Sequence, residues 1–119
     1  MDVVWLESSA QHFALPVTYT GRARRCDSAS PAPTLAACVG LQTPTRSAIE
    51  IEISVPGVRP IAIGIDALGD VEEVVVRPLP PLLSQLGPYA GAVLRGNGSL
   101  RLMLDAAVVS AELCKRIGT

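Results

Sequence analysis

The chain has 119 residues, with 10 basic and 11 acidic side chains and a formal net charge of −1. This near-neutral balance argues against nucleic-acid binding and against binding to anionic membranes, since both usually need a one-sided positive field. Hydrophobic residues make up 49% of the sequence but aromatic residues only 3%, so an aliphatic core is expected. A length of this order suits one compact unit, and a single domain over 1–119 is predicted.

Three cysteines, widely spaced and without a CxxC pair, indicate neither a disulfide framework nor a zinc site. They are Cys26, Cys38 and Cys114, and the last two lie in apolar surroundings typical of small core residues. The N-terminus lacks a basic flank followed by a long apolar stretch, and no run is long enough to span a bilayer. The sequence therefore predicts a cytoplasmic protein without direct membrane insertion.

Short strands are predicted in the first third of the chain. Residues 3–7 and 12–17 are apolar runs separated by a turn, and residues 19–25 form a third strand that carries the chain's densest group of arginines. After a loop, Thr34 is expected to cap a short helix over 35–39 that ends at Gly40.

The clearest pattern lies in the middle of the sequence. Over 48–55, isoleucine and valine alternate with Glu50, Glu52 and a serine, which predicts a strand with one solvated face. A Pro-Gly turn follows, and 61–65 returns as the second strand of a hairpin. Its off-face residues are small, so a neighbouring segment is expected to pack closely there.

The C-terminal half is predicted to contain a turn, a strand, one helical turn, a hairpin and a terminal helix. In order, these elements cover 66–70, 71–77, 82–86, 90–94 with 100–104, and 106 to about 116. The valine run at 74–76 predicts burial on both faces of its strand. The Asn-Gly step at 97–98 favours a tight hairpin turn, and Asp105 is expected to cap the terminal helix.

No catalytic motif emerges from the residues, so neither an enzyme activity nor a cofactor is predicted. His12 is the only histidine, and it lacks the neighbours that a catalytic or metal-binding histidine needs. Asp66, Asp70 and Glu73 surround a glycine turn, where carboxylates usually cap the turn but can also bind a metal. A small ligand- or metal-binding β-barrel built around these three residues therefore stays open as an alternative.

Four segments between 63 and 105 follow one another in the order of a known family. They are IGID at 63–66, VEEVVVRPL at 71–79, AGAVL at 90–94 and GNGSLRLMLD at 96–105, with looser matches in QHFALP at 11–16 and LAACVGL at 35–41. In these segments the sequence resembles the CheW-like regulatory domain of the chemotaxis histidine kinase CheA and its hybrid relatives.

The resemblance implies a mainly β fold of two small, joined, five-stranded β-barrels of SH3/OB-like type, with a C-terminal α-helix. The segment between Pro16 and Leu35 is shorter than the family pattern, so a reduced first barrel is expected. The implied partners are a CheW-type adaptor, the cytoplasmic tip of a chemoreceptor and other domains of the kinase. The implied location is at membrane-associated receptor arrays.

By the same resemblance, six residues of this chain are expected to form the partner-binding surface. They are Val71, Val75, Leu79, Leu83, Leu86 and Tyr89. The expected function is a non-catalytic signalling and scaffold domain that couples chemoreceptors and the adaptor to kinase control. A free-standing CheW-type adaptor is the first alternative, because the residues do not separate the two.

Overall fold

The computed structural model describes residues 1–26, 32–40, 48–85, 87–95 and 98–117. The chain is mainly β with a C-terminal helix, as predicted. Its strands are β1 (Asp2–Ser8), β2 (Gln11–Pro16), β3 (Thr20–Arg25), β4 (Ile49–Ile53), β5 (Ile61–Ile65), β6 (Ala67–Glu73), β7 (Val76–Arg77), β8 (Tyr89–Leu94) and β9 (Leu100–Leu104). Its helices are α1 (Leu35–Cys38), α2 (Pro81–Ser84) and α3 (Ala106–Ile117).

The strands form two sheets. A six-stranded sheet has the order β6-β1-β2-β9-β8-β7, and a three-stranded sheet has the order β3-β4-β5. The two edge strands of the larger sheet, β6 and β7, are separated only by Val74 and Val75. The sheet must therefore curl until its two edges come close together.

The strand counts differ from the five and five that the family resemblance implied. Within the described residues, the smaller sheet has three strands and contains β3, which lies in the segment that is shorter than the family pattern. The larger sheet gains a strand because the predicted strand over 71–77 is divided in two. Residues 27–31 and 41–47 lie outside the described part of the chain.

Two hydrophobic clusters result from this arrangement, because successive side chains of a strand point to opposite faces. Val4 and Leu6 of β1 belong to the inter-sheet core, which lies between the two sheets and also includes Leu113 of α3. Val3 and Trp5 of the same strand belong to the inner core, on the opposite face of the larger sheet. The larger sheet is thus buried on both faces.

The predicted helix caps and the predicted turn between β4 and β5 are confirmed, whereas Asn97 of the predicted Asn-Gly turn lies outside the described residues. The Thr34 hydroxyl accepts a hydrogen bond from the Ala37 N–H at 3.2 Å, which caps α1. The Asp105 carboxylate accepts from the N–H groups of Ala107 and Val108 at 3.1 and 3.2 Å, which caps α3. Gly57, in the turn between β4 and β5, has a φ of 80°, a conformation that glycine adopts without steric cost.

Three predictions are wrong in detail. The turn predicted over 66–70 is a strand from Ala67 onward, because β6 pairs with β1 through this stretch. The valine run is not buried on both faces, since the chain bends there and Val75 is 73% exposed. Cys114 lies on the exposed side of α3 rather than in the core. All three cysteines are free thiols.

None of the helices in the described segments is long and apolar enough to cross a membrane.

Candidate partner-binding surface

An apolar strip lies along β6 and the bend that follows it. We call it the β6 surface and define it as Leu68, Val71 and Val75, whose side chains are 39%, 60% and 73% exposed. Val71 lies opposite Val4 in the register of β6 and β1, yet Val4 is buried and Val71 is not. The difference arises because β1 is an inner strand, whereas β6 lies at the sheet edge.

Only part of the expected partner-binding set reaches this surface. Val71 and Val75 lie on it, whereas Leu79 is half-buried further along the chain. The side chain of Leu83 and the whole of Leu86 lie outside the described residues. Leu82, which the expected set did not contain, is 75% exposed on α2.

Tyr89 is half-buried and packs against the inter-sheet core. Its ring stacks on Phe13, with the ring centroids 6.4 Å apart and the planes within 9°. Phe13 is part of the inter-sheet core, and Tyr89 packs against that core. Burial raises the pKa of the Tyr89 phenol. Tyr89 therefore contributes to packing, a role that the sequence pattern did not predict.

The indole of Trp5 anchors β6 to the hairpin of β8 and β9. The indole N–H donates a hydrogen bond of 2.7 Å to the carboxylate of Glu72. The guanidinium of Arg95, just after β8, lies 3.6 Å from the same carboxylate and 4.8 Å from the centroid of the Trp5 ring. This network spans the gap between the two edges of the curled sheet, so it holds the β6 surface in place.

The three carboxylates of the metal-binding alternative have separate surroundings. Asp66 accepts a hydrogen bond of 2.8 Å from the Ser9 N–H. Ser9 and Ala10 form the turn between β1 and β2 with φ values of 51° and 63°, so this bond supports a conformation that non-glycine residues rarely adopt. Asp70 and Glu73 are exposed on β6. In the described part of the chain, no group of three or more His, Cys, Asp and Glu side chains is placed to hold a metal ion.

A groove of about 770 Å³ lies on the three-stranded sheet, away from the β6 surface. Its wall includes Glu50, which is only 7% exposed although the alternating pattern predicted a solvated face. The Arg24 guanidinium donates to the Glu50 carboxylate at 3.0 Å. This hydrogen bond, together with the charge of Glu50, raises the pKa of Arg24.

The cover over Glu50 is related to the small residues of β5. Its off-face residues Ala62 and Gly64 lie opposite Glu52 and Glu50, and close packing was predicted on that side. Gly64 is buried, and its N–H donates to the Pro33 carbonyl at 2.8 Å, so the segment before α1 packs against β5 there. Glu52, opposite Ala62, is only half-buried.

In comparisons with known proteins, no family model matches this sequence, and no curated protein matches it.

Proposed function

We propose that this chain is a non-catalytic, CheW-like docking domain of a CheA-type chemotaxis kinase, which couples chemoreceptors and a CheW-type adaptor to kinase control. The order of motifs from 63 to 105 supports the family assignment. A curled sheet joined to a second sheet, with a helix at the end, is compatible with it. A free-standing CheW-type adaptor would use the same surface, because it would have the same fold.

The observation that carries the docking role is the exposure of Val71 and Val75. Aliphatic side chains that remain exposed within a polar rim are typical of protein contact sites. Val71 lies on β6 next to Glu72, whose carboxylate is bound by Trp5 and Arg95, so this part of the surface is anchored before a partner arrives. Val75 lies in the two-residue link between β6 and β7. A preorganised surface loses less conformational entropy on binding.

The test is complex formation with a CheW-type adaptor and, separately, with a chemoreceptor tip. We expect the chain to co-elute with the adaptor on a sizing column at micromolar concentrations. The double variant Val71→Asp/Val75→Asp should bind roughly tenfold or more weakly, because central apolar contacts dominate binding energy. Absence of a complex with both partners would contradict the proposal.

The matched control is the double variant Val58→Asp/Val108→Asp. Val58 and Val108 are 43% and 49% exposed and lie away from the β6 surface, so this variant adds the same two negative charges elsewhere. It should bind the adaptor as the unmodified chain does. An equal loss of binding in the control would mean that the added charge, rather than the β6 surface, weakens the complex.

A further inference from the structure

The outer edge of β6 carries backbone groups that can accept another strand. Within the described residues, β6 pairs only with β1. Met1 and Val74 exchange two backbone hydrogen bonds, of 2.8 and 3.2 Å. Because backbone groups alternate in direction along a strand, those of Glu72 also face β1, whereas those of Val71 and Glu73 face away from it.

Of the features that usually protect a sheet edge, β6 has one bulge and several acidic side chains. Native edges are commonly shortened, bent by bulges, or blocked by proline and charge. β6 is seven residues long and contains no proline, and its one irregularity falls before Val71, opposite Trp5. The exposed side chains of Leu68 and Val71 flank the open backbone. Such an edge is a template for strand addition.

The charge of the edge specifies the side chains that would fit it. Asp70 and Glu73 are exposed, and neither has an ion-pair partner among the residues that the structure describes. Asp2 of β1 lies directly opposite Glu73 in the strand register. Like charges opposite each other in a sheet are destabilising, so a cation supplied from outside would be favourable here.

We propose that β6 binds an extended segment of a partner protein as an added strand, and that this segment carries aliphatic and basic side chains on the same face. Val71 and Glu73 are two residues apart and share a face of β6, and Asp2 lies opposite Glu73. An aliphatic side chain opposite Val71 would therefore cover it, and a basic side chain two residues further along would reach Glu73 and Asp2. The inference rests on the docking role proposed above for the same surface, and it adds the chemistry of the partner.

The first experiment uses a short synthetic peptide in which valine and lysine take turns along one face of the strand and threonine occupies the other face. We expect saturable binding that shifts the backbone amide NMR signals of Val71 and Glu73. A peptide with glutamate in place of lysine should bind roughly tenfold or more weakly, since each cross-strand charge pair changes sign. A peptide methylated at alternate backbone nitrogens should lose a similar factor, because it cannot donate the ladder hydrogen bonds.

The second experiment changes the protein. In Val71→Pro the missing N–H is one that faces away from β1, so an edge position can accept the proline without losing the pairing to β1. We expect the variant to lose peptide binding while Val71→Thr keeps it, with the folded state of both checked by thermal melting. If Val71→Pro does not fold, the methylated peptide decides the question on the unmodified chain.

Several results would overturn strand addition. They are equal binding of the methylated and unmodified peptides, amide signals of Val71 and Glu73 that stay unchanged at saturation, or dimerisation of this chain through β6 in place of peptide binding. If the adaptor binds Val71→Pro as well as the unmodified chain, the docking proposal stands and strand addition is wrong. If the lysine peptide binds at β6 but the adaptor and receptor tip do not, the proposed function is wrong and the edge inference stands.

Discussion

The carboxylates of the two sheets differ in how deeply they are buried. In the three-stranded sheet, Glu50 is buried beside Arg24 of the neighbouring strand. At the edge of the six-stranded sheet, Glu72 is half-exposed and shared between Trp5 and Arg95, while further acidic residues on the same strand face solvent. The small sheet thus uses its charge to complete its own fold, whereas the large sheet leaves charge available at an edge.

The two hydrophobic cores differ in size and in the elements that they join. The inter-sheet core joins both sheets and α3, and it holds most of the large buried side chains. The inner core fills only the curl of the larger sheet and is made of five buried residues. Because stability scales with buried apolar area, the contact between the sheets should dominate the stability of the domain. β6 is linked to the smaller core through the hydrogen bond from Trp5 to Glu72.

The largest expected effect tests this difference between the cores. Ile63→Ala, at a fully buried position of the inter-sheet core, should lower the free energy of unfolding by about 2–5 kcal/mol. Val93→Ala, at a fully buried position of the inner core, should cost about 2 kcal/mol, since two fewer carbon groups are buried. Urea unfolding measures both. Val109→Ala, at a fully buried position of the inter-sheet core, removes the same two carbon groups as Val93→Ala and is the matched comparison. An equal or larger loss from Val93→Ala than from Val109→Ala would reverse the proposed ranking of the cores.

A smaller effect is expected when the two arginines are replaced. Arg24→Met removes the arginine hydrogen bond from the buried Glu50 carboxylate and should lower the free energy of unfolding by more than Arg95→Met does. Arg95→Met should cost less than about 1 kcal/mol, because Glu72 is 42% exposed and keeps the indole N–H of Trp5. The measurement is again urea unfolding at neutral pH. Equal losses would show that the two sheets do not differ in how they depend on charge.

The small sheet was the easier one to predict from the sequence. The alternation over 48–55 and 61–65, with a Pro-Gly turn between, predicts two strands, and the structure has them at Ile49–Ile53 and Ile61–Ile65. Local signals also located the caps of α1 and α3, because Thr34 and Asp105 satisfy helix N–H groups within a few residues of themselves. Such features depend on short stretches of chain, so the pattern alone was sufficient.

The edge of the large sheet could not be predicted in the same way. Gly69 and Asp70 have the composition of a turn, but Gly69 lies under Trp5, where an added Cβ would come within 3.0 Å of the Trp5 Cβ. The glycine is needed there for close packing between strands, and that contact joins residues far apart in sequence. The exposure of Val75 also depends on a bend that no local pattern indicated. As a result, Val71 and Val75 were singled out for partner binding through the family resemblance, not through their strand pattern.

The smallest expected effect tests whether Tyr89 belongs to the core or to the partner-binding surface. Burial raises the pKa of its phenol in the folded state, so the folded chain holds this proton more tightly than the unfolded chain, whose tyrosines have a pKa of about 10. This contribution to stability is complete below that value and is lost as the pH rises through the folded-state pKa. The free energy of unfolding should therefore decline above about pH 10, and Tyr89→Phe should make the decline shallower. Tyr19→Phe, which leaves the stacked pair of Phe13 and Tyr89 intact, is the matched control and should retain the decline. If Tyr89→Phe declined as steeply as the unmodified chain, the phenol would be as solvated as it is after unfolding, and Tyr89 would have to be counted with Val71 and Val75 as open to a partner.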